Sequence, residues 1–400
     1  MSQSIFRSWR SQIGYFCVEM SDSIGSRKAI HTNHERHTDE DYAVTAHQEL
    51  IDSVISILQA NARDHGLPSI SASFSVDNFL VWSGAIGLAS IEAGQPAKVT
   101  NLYRAGSVSK AITSLIAVRL VDRGILNLDR PINQYLGNYP NGDEITSRML
   151  GSHTAGIRHY QYSFGNWPPN EFFMNKQFDT VEESLRIFKH DDLLFAPGTG
   201  FSYSSYGYSL LSFVMERASG RSFSQLLREE IVEPLQLTDT RLDVASLDNS
   251  DQAQYYDVKD RKWRPTRIIN LSSKWAGGGV VSTPTDLVKI GLSIQDERYI
   301  SPEAQNILVT PTYKDHDAGA LAGYSFGWIT NSKMNLLTED KHVTTYSHAG
   351  SSVGADSNLL VIPAFGVVVA VQINRSPRLG STSAELLSDD IGRLILAKLT

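Results

Sequence analysis

Ala105-Gly106-Ser107-Val108-Ser109-Lys110-Ala111-Ile112-Thr113-Ser114-Leu115-Ile116-Ala117-Val118 is the stretch whose reading decides the fold. Gly106 breaks regular structure before it, and the apolar run continues to Val121 until Gly124 stops it, with Arg119 and Arg123 in the last turns. The spacing predicts a helix that begins near Ser107. Residues three apart share a helix face, so the Lys110 amine can reach the Ser107 hydroxyl. The helix start also supplies free N–H groups and positive potential where a carbonyl oxygen would gain negative charge. A buried lysine in such a place loses its proton more readily and can act as base toward the serine. Taken alone, Ser-x-x-Lys is weak. An N-cap serine followed by a solvent-facing lysine gives the same letters.

Two further elements supply partners. Phe201-Ser202-Tyr203-Ser204-Ser205-Tyr206-Gly207-Tyr208 follows the turn Pro197-Gly198 and precedes an apolar helix expected from Ser209 to Ala218, closed by Gly220. Tyr203 then lies on a loop between a turn and a helix, where a phenol beside an ammonium can accept or relay a proton. Tyr206 and Tyr208 read as packing aromatics. Later, Tyr346-Ser347-His348-Ala349-Gly350-Ser351 leads into the β-branched runs Asn358–Ile362 and Gly366–Val371, which suggests adjacent antiparallel strands. A glycine beside His348 lets a substrate backbone approach closely. The Ser351 N–H could join that of Ser107 as the pair of donors in an oxyanion hole.

These elements, in this order, resemble the serine β-lactamase and penicillin-binding-protein superfamily. The resemblance runs over about residues 45–400 and is nearest to the class C β-lactamase-related branch, which includes D-alanyl-D-alanine carboxypeptidases and family VIII carboxylesterases. Leu150-Gly151-Ser152-His153-Thr154-Ala155-Gly156, Phe195-Ala196-Pro197-Gly198 and Trp275-Ala276-Gly277-Gly278-Gly279 match further blocks of that family. Gly156-Ile157-Arg158-His159-Tyr160 and Ser273–Gly279 look most like its mitochondrial serine β-lactamase-like members and their bacterial relatives. The resemblance implies that Ser107 is the acylated nucleophile, Lys110 its proton partner and Tyr203 the general base. It places Ser205, His348, Ala349 and Gly350 against substrate. Two residues depart from the class C pattern. Ser205 stands in place of asparagine and His348 in place of lysine, so a fixed cation becomes a group expected to titrate near neutrality. Both departures favour an esterase or peptidase over efficient β-lactam hydrolysis. The alternatives of another class are a slow penicillin binder and a filament-forming scaffold, as the mitochondrial members suggest.

Gly350-Ser351-Ser352-Val353-Gly354 also fits Gly-x-Ser-x-Gly, the nucleophile elbow of α/β-hydrolases. That elbow needs a helix after the serine, whereas the residues beyond Gly354 read as another strand, so Ser352 is expected to be a structural loop residue.

Composition fits a globular enzyme. Of 400 residues, 41% are hydrophobic and 20% charged, enough to bury a large core. A net charge of −7 without a basic run argues against nucleic acid as a partner. The single cysteine, Cys17, cannot form an intramolecular disulfide, and no apolar run has membrane-spanning length. The expectation is a soluble protein of the cytoplasm, or of mitochondria if the source is eukaryotic. It is expected to need no cofactor and to act on a small ester or peptide, with homo-oligomerisation left open. Near the N-terminus, His31, His34 and His37 sit in a polar stretch without zinc-site spacing, so no metal is expected. The first eighteen residues lack the unbroken apolar core of a secretory signal.

The coarse pattern is an α+β chain. A helix is expected from Gln48 to Ala62, then a hairpin turning at Asp77-Asn78, then helices and loops from Ser107 to about Arg264. Strands return from Ile268, with helices at Pro284–Ile294 and Ala384–Leu399. The expected architecture is a two-domain β-lactamase/transpeptidase-like fold, with an antiparallel sheet flanked by helices, built from both chain ends and carrying an inserted helical domain. The corresponding divisions are 1–42 as an extension, 43–105 with 265–400 as the sheet domain, and 106–264 as the helical domain. Within the insert, Phe164, Trp167, Phe172 and Phe173 are candidates for a cleft wall or for plain packing.

Overall fold

The structure is a computed structural model that describes residues 32–33, 47–161, 171–245, 249–259, 262–314, 323–331, 336, 342–378 and 380–400. Among the named candidates, Phe164, Trp167, His31, His34, His37 and Cys17 lie outside the described residues.

Strands β1 (Ser69–Val76), β2 (Phe79–Ser90), β3 (Tyr346–Ser352), β4 (Ala355–Ile362) and β5 (Val367–Ile373) form the body of a ten-stranded antiparallel sheet. Their spatial order is β2-β1-β5-β4-β3, so the first hairpin of the chain pairs with the last strand of its far end. Short strands 329–330, 323–324 and 313–314 continue the sheet beyond β3, and 32–33 lies against the outer edge of β2. The β1–β2 turn is made by Asp77 (φ 51°) and Asn78 (φ 67°), the residue types that most readily accept the left-handed backbone of a two-residue hairpin.

Both faces of this sheet are covered, which is why Leu359–Ile362 of β4 and Val367–Val371 of β5 read as unbroken apolar runs. Val367, Val369, Val371 and Ile373 share a core with α1 (Gln48–Asp64) and α5 (Ala384–Leu399), through Val54, Leu58, Leu387 and Ile391. The alternate residues Val368 and Ala370 belong to the opposite core with α2 (Val108–Asp122), α3 (Ser205–Ser219) and α4 (Pro284–Ser293). This is the two-residue strand period dividing one strand between two cores. The serines of β1 at 69, 71, 73 and 75 are buried too, each with its hydroxyl hydrogen-bonded.

Helix α2 is buried almost all round, as expected for a helix without a solvent face. Three of its polar side chains, Ser109, Lys110 and Thr113, share one stripe. Ser109 Oγ accepts from Val280 N, Lys110 Nζ reaches Gly277 O, and Thr113 Oγ1 donates to Ala276 O. The glycine turn at 275–279 is therefore bolted to α2 by side chains, and α3 packs against the same turn, where Gly277 leaves no room for a Cβ beside Ser205 O (2.9 Å).

Two parts of the expected pattern change. Helix α3 begins at Ser205 instead of Ser209, because Ser204 is its N-cap and accepts from Gly207 N. The middle of the chain also contains strands: a hairpin of 256–259 with 262–265, and a small sheet that joins 103–104, 280–282 and 241–242. Among the described residues, no helix is long and apolar enough to cross a membrane.

Candidate active site

Ser107 is the N-cap of α2, but its side chain makes no capping hydrogen bond. The hydroxyl is held by Lys110 instead, with Nζ 3.1 Å from Ser107 Oγ. The same nitrogen lies 2.9 Å from Ser205 Oγ and 2.6 Å from the Gly277 carbonyl. Lys110 is fully buried. Burial, seconded by the nearby Lys274 ammonium, holds its pKa well below the ordinary lysine value. A neutral amine has two protons and one lone pair. Gly277 O can only accept, so when the amine is neutral and gives its second proton to Ser205 Oγ, its lone pair faces the Ser107 hydroxyl.

The turn before α2 is pressed onto strand β3. A Cβ on Gly106 would fall 2.7 Å from Ser351 N, and one on Gly350 would fall 2.1 Å from Ala105 O and 3.0 Å from Ser107 N. Gly106 also has a left-handed backbone, at φ 50°. Ser357, directly across from Gly350 on β4, donates its hydroxyl to Ala105 O at 2.6 Å and ties turn to sheet. Among the described residues, strand 329–330 meets β3 at Tyr346 and Ser347, so the Ala105–Ser107 turn reaches β3 beyond that pairing. The Ser107 and Ser351 amides are thus neighbours, a placement suited to two donors on one oxyanion.

Tyr203 is buried, with Lys110 Nζ 4.7 Å from its ring centroid. Two histidines of the 152–160 loop line its other sides. His153 lies 4.4 Å away centroid to centroid, and His159 meets it edge-on at 5.5 Å. Each also accepts a backbone proton from the start of α3: Ser204 N to His153 Nδ1 at 3.1 Å, and Ser205 N to His159 Nδ1 at 3.2 Å. These bonds assign the Nε2–H tautomer to both rings. His153 sits at φ 63° and its own carbonyl accepts from Ser202 N. As expected, Tyr206 and Tyr208 pack: both are buried, with their hydroxyls on Glu171 and on the Gly151 carbonyl.

His348 overturns one expectation. It does not titrate near neutrality. Burial, followed by repulsion from Lys110 in its protonated form, takes its pKa down to about 3, against the pull of the Ala349 carbonyl. Its Nδ1 lies 2.6 Å from Ala349 O and therefore carries the proton, which leaves Nε2 to face the Tyr324 hydroxyl at 3.2 Å. The imidazole is a neutral, buried link between β3 and strand 323–324.

Lys274 was not singled out from sequence. It is 4% exposed, donates to Phe172 O at 2.9 Å and stands over the Tyr160 and Phe172 rings. Burial, then repulsion from Arg104, lowers its pKa to about 7, with Glu171 opposing. Phe172 and Phe173 are partly buried and packed edge to face at 5.2 Å. Ser352 ends β3, and after Val353-Gly354 the chain enters β4, not a helix, so the elbow geometry is absent at this serine.

The Beta-lactamase family profile matches residues 51–389. The chain belongs to the Beta-lactamase family. Among curated relatives of this β-lactamase-family protein, the serine beta-lactamase-like protein LACTB, mitochondrial, of Mus musculus is 28% identical over 415 residues, covering 82% of this chain and 75% of its own. The D-alanyl-D-alanine-carboxypeptidase/endopeptidase AmpH of Escherichia coli K12 is 28% identical over 313 residues, covering 74% and 76%. Among solved structures, the octameric penicillin-binding protein homologue from Pyrococcus abyssi superimposes with a TM-score of 0.73 at 24% identity, over 87% of this chain and 77% of that one. The β-lactamase/penicillin-binding-protein fold expected from the motifs is therefore present, and with the family comes the reaction class, serine hydrolysis.

Proposed function

We infer that this β-lactamase-family protein cleaves esters and amides through an acyl-enzyme on Ser107. The observation that carries the reading is the Lys110 amine, stripped of solvent and 3.1 Å from the Ser107 hydroxyl. In this reading Lys110, with Tyr203 beside it, takes the hydroxyl proton as Ser107 attacks the substrate carbonyl. The Ser107 and Ser351 N–H groups receive the oxyanion, each donor contributing roughly 3 kcal/mol. Tyr203 returns a proton to the leaving group, and water then releases the acyl group from Ser107. Ser205 keeps the amine aimed, while Ala349 and Gly350 offer a strand edge along which substrate lies. The compartment that fits a chain with a single cysteine is the cytoplasm.

The neutral His348 narrows the substrate class. A site selective for a free carboxylate needs a fixed cation near the β3 edge, and the imidazole there is buried, uncharged and occupied by Tyr324. The protein is therefore expected to accept substrates whose leaving side is uncharged. The test is a paired assay of acyl-D-alanyl-D-alanine and its C-terminal carboxamide, with a p-nitrophenyl ester as reference. The expected result is ester turnover, with the carboxamide cleaved at least as fast as the free acid. A strict requirement for the free acid would contradict this assignment.

A further inference from the structure

The start of α3 is held in an unusual manner. The first N–H groups of a helix are commonly capped by a serine, threonine or aspartate of their own segment. Here Ser204 Oγ caps Gly207 N, but the N–H groups of Ser204 and Ser205 are taken by imidazoles from another segment. His153 is 2% exposed and locked in place, whereas His159 is only partly buried. Through Ser205 N, His159 holds the residue whose hydroxyl is 2.9 Å from Lys110 Nζ, and its ring edge supports Tyr203. It therefore touches both arms of the proton machinery without contacting the reacting atoms.

We propose that His159 is a positioning residue whose uncharged imidazole sets the Tyr203–Ser205 arm against Lys110, and that protonation of His159 releases this arm and shuts down turnover at low pH. Protonation would place a hydrogen on Nδ1, leaving two donors facing each other at the Ser205 amide. The charges around the ring work against that state. Arg158 beside it, Lys274 on the 270–275 segment and, once protonated at acid pH, Lys110 on α2 all oppose a further charge, and among the described residues the neighbouring rings include those of Tyr160 and Tyr203. Glu171, the carboxylate that Arg158 holds, is engaged by both Arg158 terminal nitrogens and by the Tyr206 hydroxyl. Burial first, then those cations, keeps His159 neutral to well below the ordinary histidine value of 6.5. The arm is thus held throughout the neutral range and is lost as pH falls through the lowered value.

The inference rests on the Ser107 acyl-transfer reading. It is tested by comparing His159→Phe and His159→Asn with wild type on p-nitrophenyl acetate across pH, with Ser107→Ala as control and thermal unfolding measured at each pH. Phe keeps the ring shape and removes the acceptor. Asn keeps an acceptor near the δ position and cannot titrate. His159→Phe is expected to lower kcat and kcat/KM together by about 10²-fold with little change in KM, the scale of a small misplacement in an active site. His159→Asn is expected to recover most of that loss. Its acid limb should be shallower than the wild type's by one proton, leaving only the proton on Lys110. An unchanged acid limb in His159→Asn, or full activity in His159→Phe, overturns the inference while Ser107→Ala stays dead. Activity surviving in Ser107→Ala overturns the underlying chemistry instead.

Discussion

Replacing Ser107 with alanine is expected to abolish ester hydrolysis while leaving the protein folded. Loss of a covalent nucleophile that works as a unit with its base costs on the order of 10⁶ in kcat. The same change should scarcely touch stability. Although Ser107 is the N-cap of α2, its hydroxyl caps nothing, and Lys110 keeps Ser205 Oγ and Gly277 O when the serine oxygen is removed. A loss within about 1 kcal/mol, one neutral hydrogen bond, is the expected cost. The check is p-nitrophenyl acetate turnover together with urea unfolding of the same preparation. Residual hydrolysis near the wild-type rate would place the nucleophile elsewhere. A large fall in stability would mean that the serine is structural.

Lys110 gives the second large effect, and two substitutions separate its possible roles. Lys110→Met keeps the length of the chain, removes the base and leaves no buried charge, so activity should fall by about 10⁴-fold, the upper range for proton transfer by a positioned group. Lys110→Arg keeps a cation but can never be neutral, so it should be no better than Met. If Lys110 served only as a fixed positive charge for the oxyanion, Arg would retain much more activity than Met. Stability should move the other way. Methionine removes an amine whose charged form burial disfavours, so Lys110→Met is expected to unfold at or above the wild-type temperature, whereas Arg overfills the space among Tyr203, Tyr208 and Gly277. Steady-state kinetics and thermal unfolding of the pair decide it. The base reading also has a pH sign. Lys110 must be neutral, so activity is present above its lowered pKa and disappears as pH falls through it.

Much of the fold could be read from local pattern because its signals are local. Gly106 and the apolar run after Ser107 mark the start of α2, Asp77-Asn78 marks the first hairpin, and Ala384–Leu399 is helical from end to end as expected. The early start of α3 was hidden because its capping serine is followed by Gly207 in place of the glutamate or glutamine of a capping box, and because Tyr206 and Tyr208 read equally well as loop aromatics. The hairpin 256–265 carries too few apolar residues to show a strand period, with Lys259, Lys262 and Arg264 among its eight strand residues.

At the site, residue identity was legible where one segment supplies the chemistry, and illegible where charge state depends on distant segments. Ser107 with Lys110 is a local pair. The neutrality of His348 comes instead from burial between distant segments and from Lys110 far back in the chain. Lys274, His153 and His159 stand within recognisable blocks, yet nothing local tells that Lys274 lies over Tyr160 or that both imidazoles meet the first turn of α3. Gly277 read as a turn glycine. Its carbonyl as the strongest partner of the Lys110 amine required the packing of α2 on that turn.

The central claim is that the Ser107–Lys110 pair is an activated nucleophile, and the most direct measurement is covalent labelling. Wild-type protein is incubated with a fluorophosphonate, and the adduct is located by intact-mass and peptide-mapping mass spectrometry, with Lys110→Met run in parallel. The account predicts stoichiometric phosphonylation of Ser107 in the wild type and strongly slowed labelling when the amine is gone. Label on Ser352, or no label on a protein shown to be folded, would contradict it.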